Sequence, residues 1–277
     1  MSYFERAGFE PRPNLLTDAV KRLSGFLTFR PFVKLPQLPF LGNASPSDLN
    51  IIDGDDVGPD IPQPSYVGSI CRILRSAGVF RENATVLELG AGSGVQTVEI
   101  ATCGAFALVV AVEPEADNFS ALQRKMDENE LTDVVCCLPC AVGIIDGMTN
   151  FYVNREDRQR SSIKQRTDLM VRTAMSTVST ILQDTGIAPD EVALIWIDIE
   201  GYEAIACLAM TEIMAQGVPI HAVLSPDWYH ADQGSSLIRY LATYYHRCVV
   251  LDDPSRHVIS VSKIPLDRGR IRVLLID

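Results

Sequence analysis

Two carboxylates one residue apart close an apolar run in LIWIDIEGYEA, Leu194 to Ala204: Asp198 and Glu200, with Gly201 directly after them. If the run is a strand, alternation sends both acids to one face. Such a pair can orient a reacting group, take a proton, hold a divalent metal with waters, or cap the next helix. A metal needs further aligned ligands. Asp227 is the only candidate beside the pair, so no metal is expected. A second constellation runs Glu88-Leu-Gly90-Ala91-Gly92-Ser-Gly94. Glycines let a backbone turn tightly and approach a ligand, and a following helix offers free amides. The spacing is G-x-G-x-G, not the G-x-G-x-x-G that seats a pyrophosphate. With an acid in front, it suits a ligand that has an amino group and no phosphate. Glu113-Pro114 ends the next apolar run, where an acid takes ribose hydroxyls. Together these residues predict a nucleoside pocket.

Other reactive side chains have less context. SPDWYH places Asp227, Trp228, Tyr229 and His230 after a predicted strand, where they are expected to line an acceptor site, with His230 a candidate base. His221, His246 and His257 have no partner visible in the sequence. The stretch 154–166 gathers Arg155, Arg158, Arg160, Lys164 and Arg166 and reads either as a mobile anion-binding loop or as a solvated loop paired with Glu156 and Asp157. Cys137-Leu-Pro-Cys140 is a C-x-x-C with no second pair for zinc, and it follows a strand rather than opening a helix. The seven cysteines are expected to be reduced core thiols.

The elements that must position these groups alternate. From about Asn83, ATVLELG, ALVVAVE, DVVCCLPCAVG, VALIWIDIEG and PIHAVLSP read as strands. Between them GVQTVEIATCG, EADNFSALQRKMDENE, STVSTILQDTG and YEAIACLAMTEIMAQG read as helices. MTNFYVN and DLMVRTA are shorter strands around the basic loop. After the helix GSSLIRYLATYYHR, the segments CVVLDD, HVISVSK and IRVLLID supply antiparallel strands at one edge. The alternation predicts an α/β fold with a mostly parallel sheet covered on both faces. Residues 1–80, rich in Pro, Gly and Asp, read as a helical and extended appendage, a lid or an oligomer contact, on a domain spanning 81–277. A helix is expected over Tyr66 to Ala77.

Composition narrows the partners. With 24 basic and 35 acidic residues, the formal charge is −11, which argues against general binding to nucleic acid or anionic membranes. The N-terminal residues lack the flank and core of a secretory signal, and no apolar stretch is long enough to span a bilayer. A soluble, cytoplasmic protein is expected.

VLELGAGSG resembles the first motif of class I S-adenosylmethionine-dependent methyltransferases, and AVEPEADNFSAL their second. LIWIDIEGYEAI, RSSI at Arg160 to Ile163, and AVG after the third strand resemble the FkbM family more narrowly. The resemblance covers about Asn83 to Pro226. It implies a Rossmann-like, doubly wound, seven-stranded sheet and S-adenosyl-L-methionine as cofactor. The implied reaction is O-methylation of a hydroxyl on a sugar or secondary-metabolite-type small molecule or glycan. By resemblance, Glu88, Gly90, Ala91, Gly92 and Gly94 hold the methionine portion, Glu113 and Pro114 the ribose, and Cys140, Ala141 and Val142 lie beside the adenine. Asp198 touches cofactor or acceptor, and Asp198, Glu200 and His230 are the catalytic candidates. The competing readings are a non-catalytic nucleoside-binding module of the same fold and, disfavoured by the glycine spacing, a nicotinamide-dependent oxidoreductase.

Overall fold

A computed structural model describes residues 65–154, 163, 169–229, 233–267 and 269–277. The chain divides into two units, Met1–Ile61 and Pro62–Asp277. The first unit, and with it most of the expected appendage, lies outside the described residues. The second unit opens with α1, Tyr66–Ser76, whose N-terminus is capped by the Ser65 hydroxyl accepting from the Gly68 N–H. Val67, Ile70, Cys71, Ile73 and Leu74 form its buried stripe, at the helical spacing the sequence shows.

The expected alternation follows. It runs through β1 (Thr85–Leu89), α2 (Val95–Thr102), β2 (Leu108–Val112), α3 (Ala116–Glu128) and β3 (Val135–Leu138). Pro139, which has no N–H to give a ladder, then breaks the predicted third strand, and β4 (Cys140–Val142) leaves for another sheet. Next come β5 (Gly147–Val153), β6 (Leu169–Ser176), α4 (Val178–Thr185) and β7 (Val192–Ile197). The predicted helix after β7 is two, α5 (Glu203–Ala209) and α6 (Thr211–Met214), separated at Met210. The chain finishes with β8 (Ile220–Leu224), α7 (Gln233–Leu241), β9 (Arg247–Val250), β10 (Val258–Ser260) and β11 (Ile271–Ile276).

The main sheet has the order β10-β9-β11-β8-β7-β1-β2-β3. Strands β3, β2, β1, β7 and β8 run parallel. Every residue of β1, β7 and β8 is buried, as a sheet covered on both faces requires. The sheet is Rossmann-like and ends in antiparallel strands, with two differences from expectation. It has eight strands rather than seven, because the tail adds the three-residue β10. The reversed strand β11 is not outermost; it lies between β8 and β9, antiparallel to both. A second sheet, β4-β6-β5, carries the short strands.

Chain order reverses beside β1: β2 and β3 extend one way, β7 and β8 the other. That switch point puts the glycine loop after β1 next to the acids after β7, at the carboxyl ends where α/β sheets bind ligands. Ala111, Glu88, Trp196, His221 and Leu274 are cross-strand partners in one row, so their side chains share a face.

Candidate active site

A cavity of about 640 Å³ opens over that face. The loop after β1 forms one side. Gly90 has φ +89°, and a Cβ there would stand 2.1 Å from the Asp198 carbonyl oxygen, so only glycine lets β1 and β7 close up. The Asp198 N–H donates to the Leu89 carbonyl at 3.0 Å across the same junction. Gly92, at φ +55°, has no atom within 4 Å of where a Cβ would be, leaving its backbone bare to the cavity.

Glu113 ties this loop to β2. Its Oε2 accepts from the Gly92 N–H and its Oε1 from the Glu115 N–H, both at 2.8 Å. Glu88 is 1% exposed, and its Oε2 has no hydrogen-bond partner among the described residues. Burial pushes both carboxyls up to about 7. For Glu88, the nearby charges of Asp198 and Glu113 push in the same direction. Ala91, Pro114, Cys140, Ala141 and Val142 also line the cavity, joined by Phe151. Gly94 is the N-cap of α2, packed toward Leu122.

Asp198 and Glu200 come together, but by a turn rather than by strand alternation. β7 ends at Ile197, and Glu200 sits at φ +36°. Arg270 joins the two acids: one guanidinium nitrogen donates to Asp198 Oδ1 and lies 3.4 Å from Glu200 Oε1. Burial raises the Asp198 carboxyl above its ordinary range, while Arg270, and Arg272 less directly, draw it back down. α5 starts at Glu203, and Tyr202 at its N-cap makes no side-chain cap bond. Glu203, fully buried, holds the turn by accepting from the Gly201 N–H at 3.0 Å and the Tyr229 hydroxyl at 3.1 Å.

The far side of the cavity holds residues that no motif announced. Tyr66 Oη is 2.8 Å from His221 Nε2, and the His221 ring stacks on Trp196 with centroids 3.7 Å apart. Burial, helped by Arg272, pushes His221 down to about 3, so it is neutral. Arg272 donates through Nε to Asp252 Oδ1 at 2.7 Å, and its guanidinium lies 5.3 Å from the centre of the Tyr66 ring. Arg270 and Arg272 share a face by the period of two, the one sequence signal that linked them.

Several expected residues lie elsewhere. Trp228 packs on Gly201, and Tyr229 bonds Glu203; neither they nor Asp227 line the cavity, because the Pro226–Trp228 turn buttresses the acid turn from outside. His230 and the cluster Arg155, Arg158, Arg160, Lys164 and Arg166 lie outside the described residues, although Ile163 of that loop reaches the cavity. His246 Nδ1 is 2.8 Å from Asp277 Oδ1, away from the site. All seven cysteines are free thiols, and burial pushes Cys137 and Cys140 up to about 12, far from reactive thiolates. Among the described residues no group of three His, Cys, Asp or Glu side chains is placed to hold a metal, and no helix is long and apolar enough to cross a membrane.

Among the described residues, five carboxylates, Glu88, Glu113, Asp198, Glu200 and Asp252, face this cavity with two arginines, each arginine in an ion pair. This described part of the lining complements a cationic group on a ligand. Strand order, switch-point cavity and glycine loop define a Rossmann-like α/β protein of the G-x-G-x-G kind. Residues 88–218 match the family model described as the methyltransferase FkbM domain.

Solved structures with similar chain paths include the methyltransferase FkbM from Methylobacillus flagellatus KT, at 16% identity and a TM-score of 0.46. The match covers 72% of this chain and 46% of that one, so this chain spans about half that protein's length. A putative rRNA methylase from Clostridium thermocellum matches at 12% identity and a TM-score of 0.40, covering 78% of this chain and 97% of that one. An rRNA methylase from Streptococcus thermophilus matches at 11% identity and a TM-score of 0.42, covering 78% and 98%. No curated protein matches the sequence.

Proposed function

We propose that this protein transfers a methyl group from S-adenosyl-L-methionine to a hydroxyl of a small molecule or glycan, of the sugar or secondary-metabolite type. The observation that carries the reading is Glu88: a buried carboxylate with one oxygen that has no hydrogen-bond partner among the described residues, beside the bare Gly92 backbone. An unpaired buried carboxylate is costly, and a ligand ammonium offsets that cost. When bound, the cofactor supplies a methyl already activated on a sulfonium.

The chain's own residues bind and orient. Glu88 and the loop Gly90-Ala91-Gly92 face the methionine end. Glu113 keeps lone pairs for ribose hydroxyls while anchoring the loop, with Pro114 beside it. Cys140, Ala141 and Phe151 wall the adenine side. Asp198 accepts a hydrogen bond from the acceptor hydroxyl through Oδ2, its Oδ1 being taken by Arg270, aligns that oxygen for in-line attack, and takes the hydroxyl proton as the new O–C bond forms. Glu200 shares Arg270 and helps fix Asp198.

The acidic balance of the chain supports an acceptor that is not a polyanion. The test is incubation with methyl-labelled S-adenosylmethionine and a panel of hydroxylated acceptors. Label in an ether product, with release of the demethylated cofactor, is expected. Label confined to nucleic acid, or to amines alone, would contradict the proposal.

A further inference from the structure

We propose that Arg270 is a positioning residue for this reaction, holding Asp198 ionised and oriented so that Oδ2 is presented to the acceptor hydroxyl. The inference rests on the role given to Asp198 above. Arg270 lies outside the segment matched by the family model, 52 positions beyond its end at residue 218. What brings it to the site is the reversal of β11. Ile271 pairs with Leu224, the last residue of β8, so the start of β11 meets the carboxyl ends of the parallel strands. A parallel strand would have offered its other end, and residue 270 would face away from the switch point.

The charges around Asp198 show why a counterion is needed there. Glu88 approaches from β1, Glu200 from the same turn, and Glu203 lies near Arg270 from α5. Arg270 and Arg272 come from the β11 side, and Arg272 is engaged by Asp252. Carboxylates crowded in a part-buried site favour taking up a proton. A protonated Asp198 would donate rather than accept, and the acceptor hydroxyl would lose its guide. The Arg270 guanidinium is fixed on Asp198 Oδ1 and bridges to Glu200 Oε1, so it supplies both the charge and the orientation.

The experiment is a pH titration of ligand-free protein, following side-chain carboxyl carbon shifts by NMR, with Asp198→Asn assigning the resonance. Arg270→Gln is expected to move the Asp198 midpoint upward by about one pH unit or more. Arg270→Lys keeps a charge without the fork geometry and is expected to move it less. The acid limb of kcat/KM should move in the same direction in each variant. A midpoint unchanged in both variants overturns the proposal, and Arg270→Lys keeps that outcome readable should Arg270→Gln fold poorly. The functional reading fails separately, if wild-type protein does not bind S-adenosylmethionine in calorimetry; the titration is read without that ligand.

Discussion

The two halves of the cavity are built in opposite ways. The glycine-loop half comes from short, consecutive stretches: Glu88 to Gly94, Glu113 and Pro114, Cys140 and Ala141. Its key bond, Gly92 N–H to Glu113, spans 21 positions. The far half is assembled from Tyr66, His221, Asp252, Arg270 and Arg272, and its Tyr66–His221 bond spans 155 positions. The first half is set by local backbone geometry at the ends of adjacent parallel strands. The second depends on α1 lying over the sheet and on one strand running backwards. A loop of this kind can therefore be written as a motif, while the far wall is written only in the folded topology.

The sharpest break of this contrast is Gly90→Ala. A Cβ would collide with the Asp198 carbonyl at a positive φ, so a loss of about 3 kcal/mol or more of stability is expected, together with cofactor binding, in denaturant titration. Glu113→Gln removes the charge that anchors the Gly92 amide and is expected to weaken cofactor binding by about 10- to 100-fold in calorimetry. On the far side, Tyr66→Phe leaves His221 Nε2 without its partner. It should cost about 1–3 kcal/mol of thermal stability and raise the acceptor KM, with cofactor affinity unchanged. Equal losses of cofactor and acceptor binding in that variant would erase the distinction between the halves.

The pH response sharpens the same comparison. Glu88 and Glu113 titrate near 7 in the folded chain against an ordinary value of 4.5. The folded state therefore keeps protons that the unfolded chain releases, and ligand-free stability falls as pH rises from 4.5 through 7. A cationic ligand favours the ionised carboxyls, so its affinity rises over the neutral range with release of protons. Scanning calorimetry with and without ligand checks both slopes. The smallest expected effect is that of a chelator, which should leave cofactor binding unchanged.

The sequence made the parallel core legible, because β1, β7 and β8 are buried on both faces and read as unbroken apolar runs. It made the glycine loop legible because G-x-G-x-G must be local to turn at all. Pro139 was visible, but not that β3 and β4 on either side of it join different sheets, since that depends on pairing with β6. The turn after β7 was not legible, because Glu203, two residues past Gly201, holds it through the Gly201 N–H. The Ser225 to Tyr229 stretch was expected in the cavity because it follows a strand, yet it packs behind the acid turn through Trp228 and Gly201. Arg270 and His221 carried no motif at all. Their roles follow from register, and strand register is not a local property of sequence.

The central claim is that the acid-lined cavity holds S-adenosylmethionine. Isothermal titration of the full chain with S-adenosylmethionine, its demethylated product and NAD tests it most directly. Saturable one-site binding of the first two and no heat from NAD are expected. Saturable binding of NAD, with no response to the other two, would contradict it.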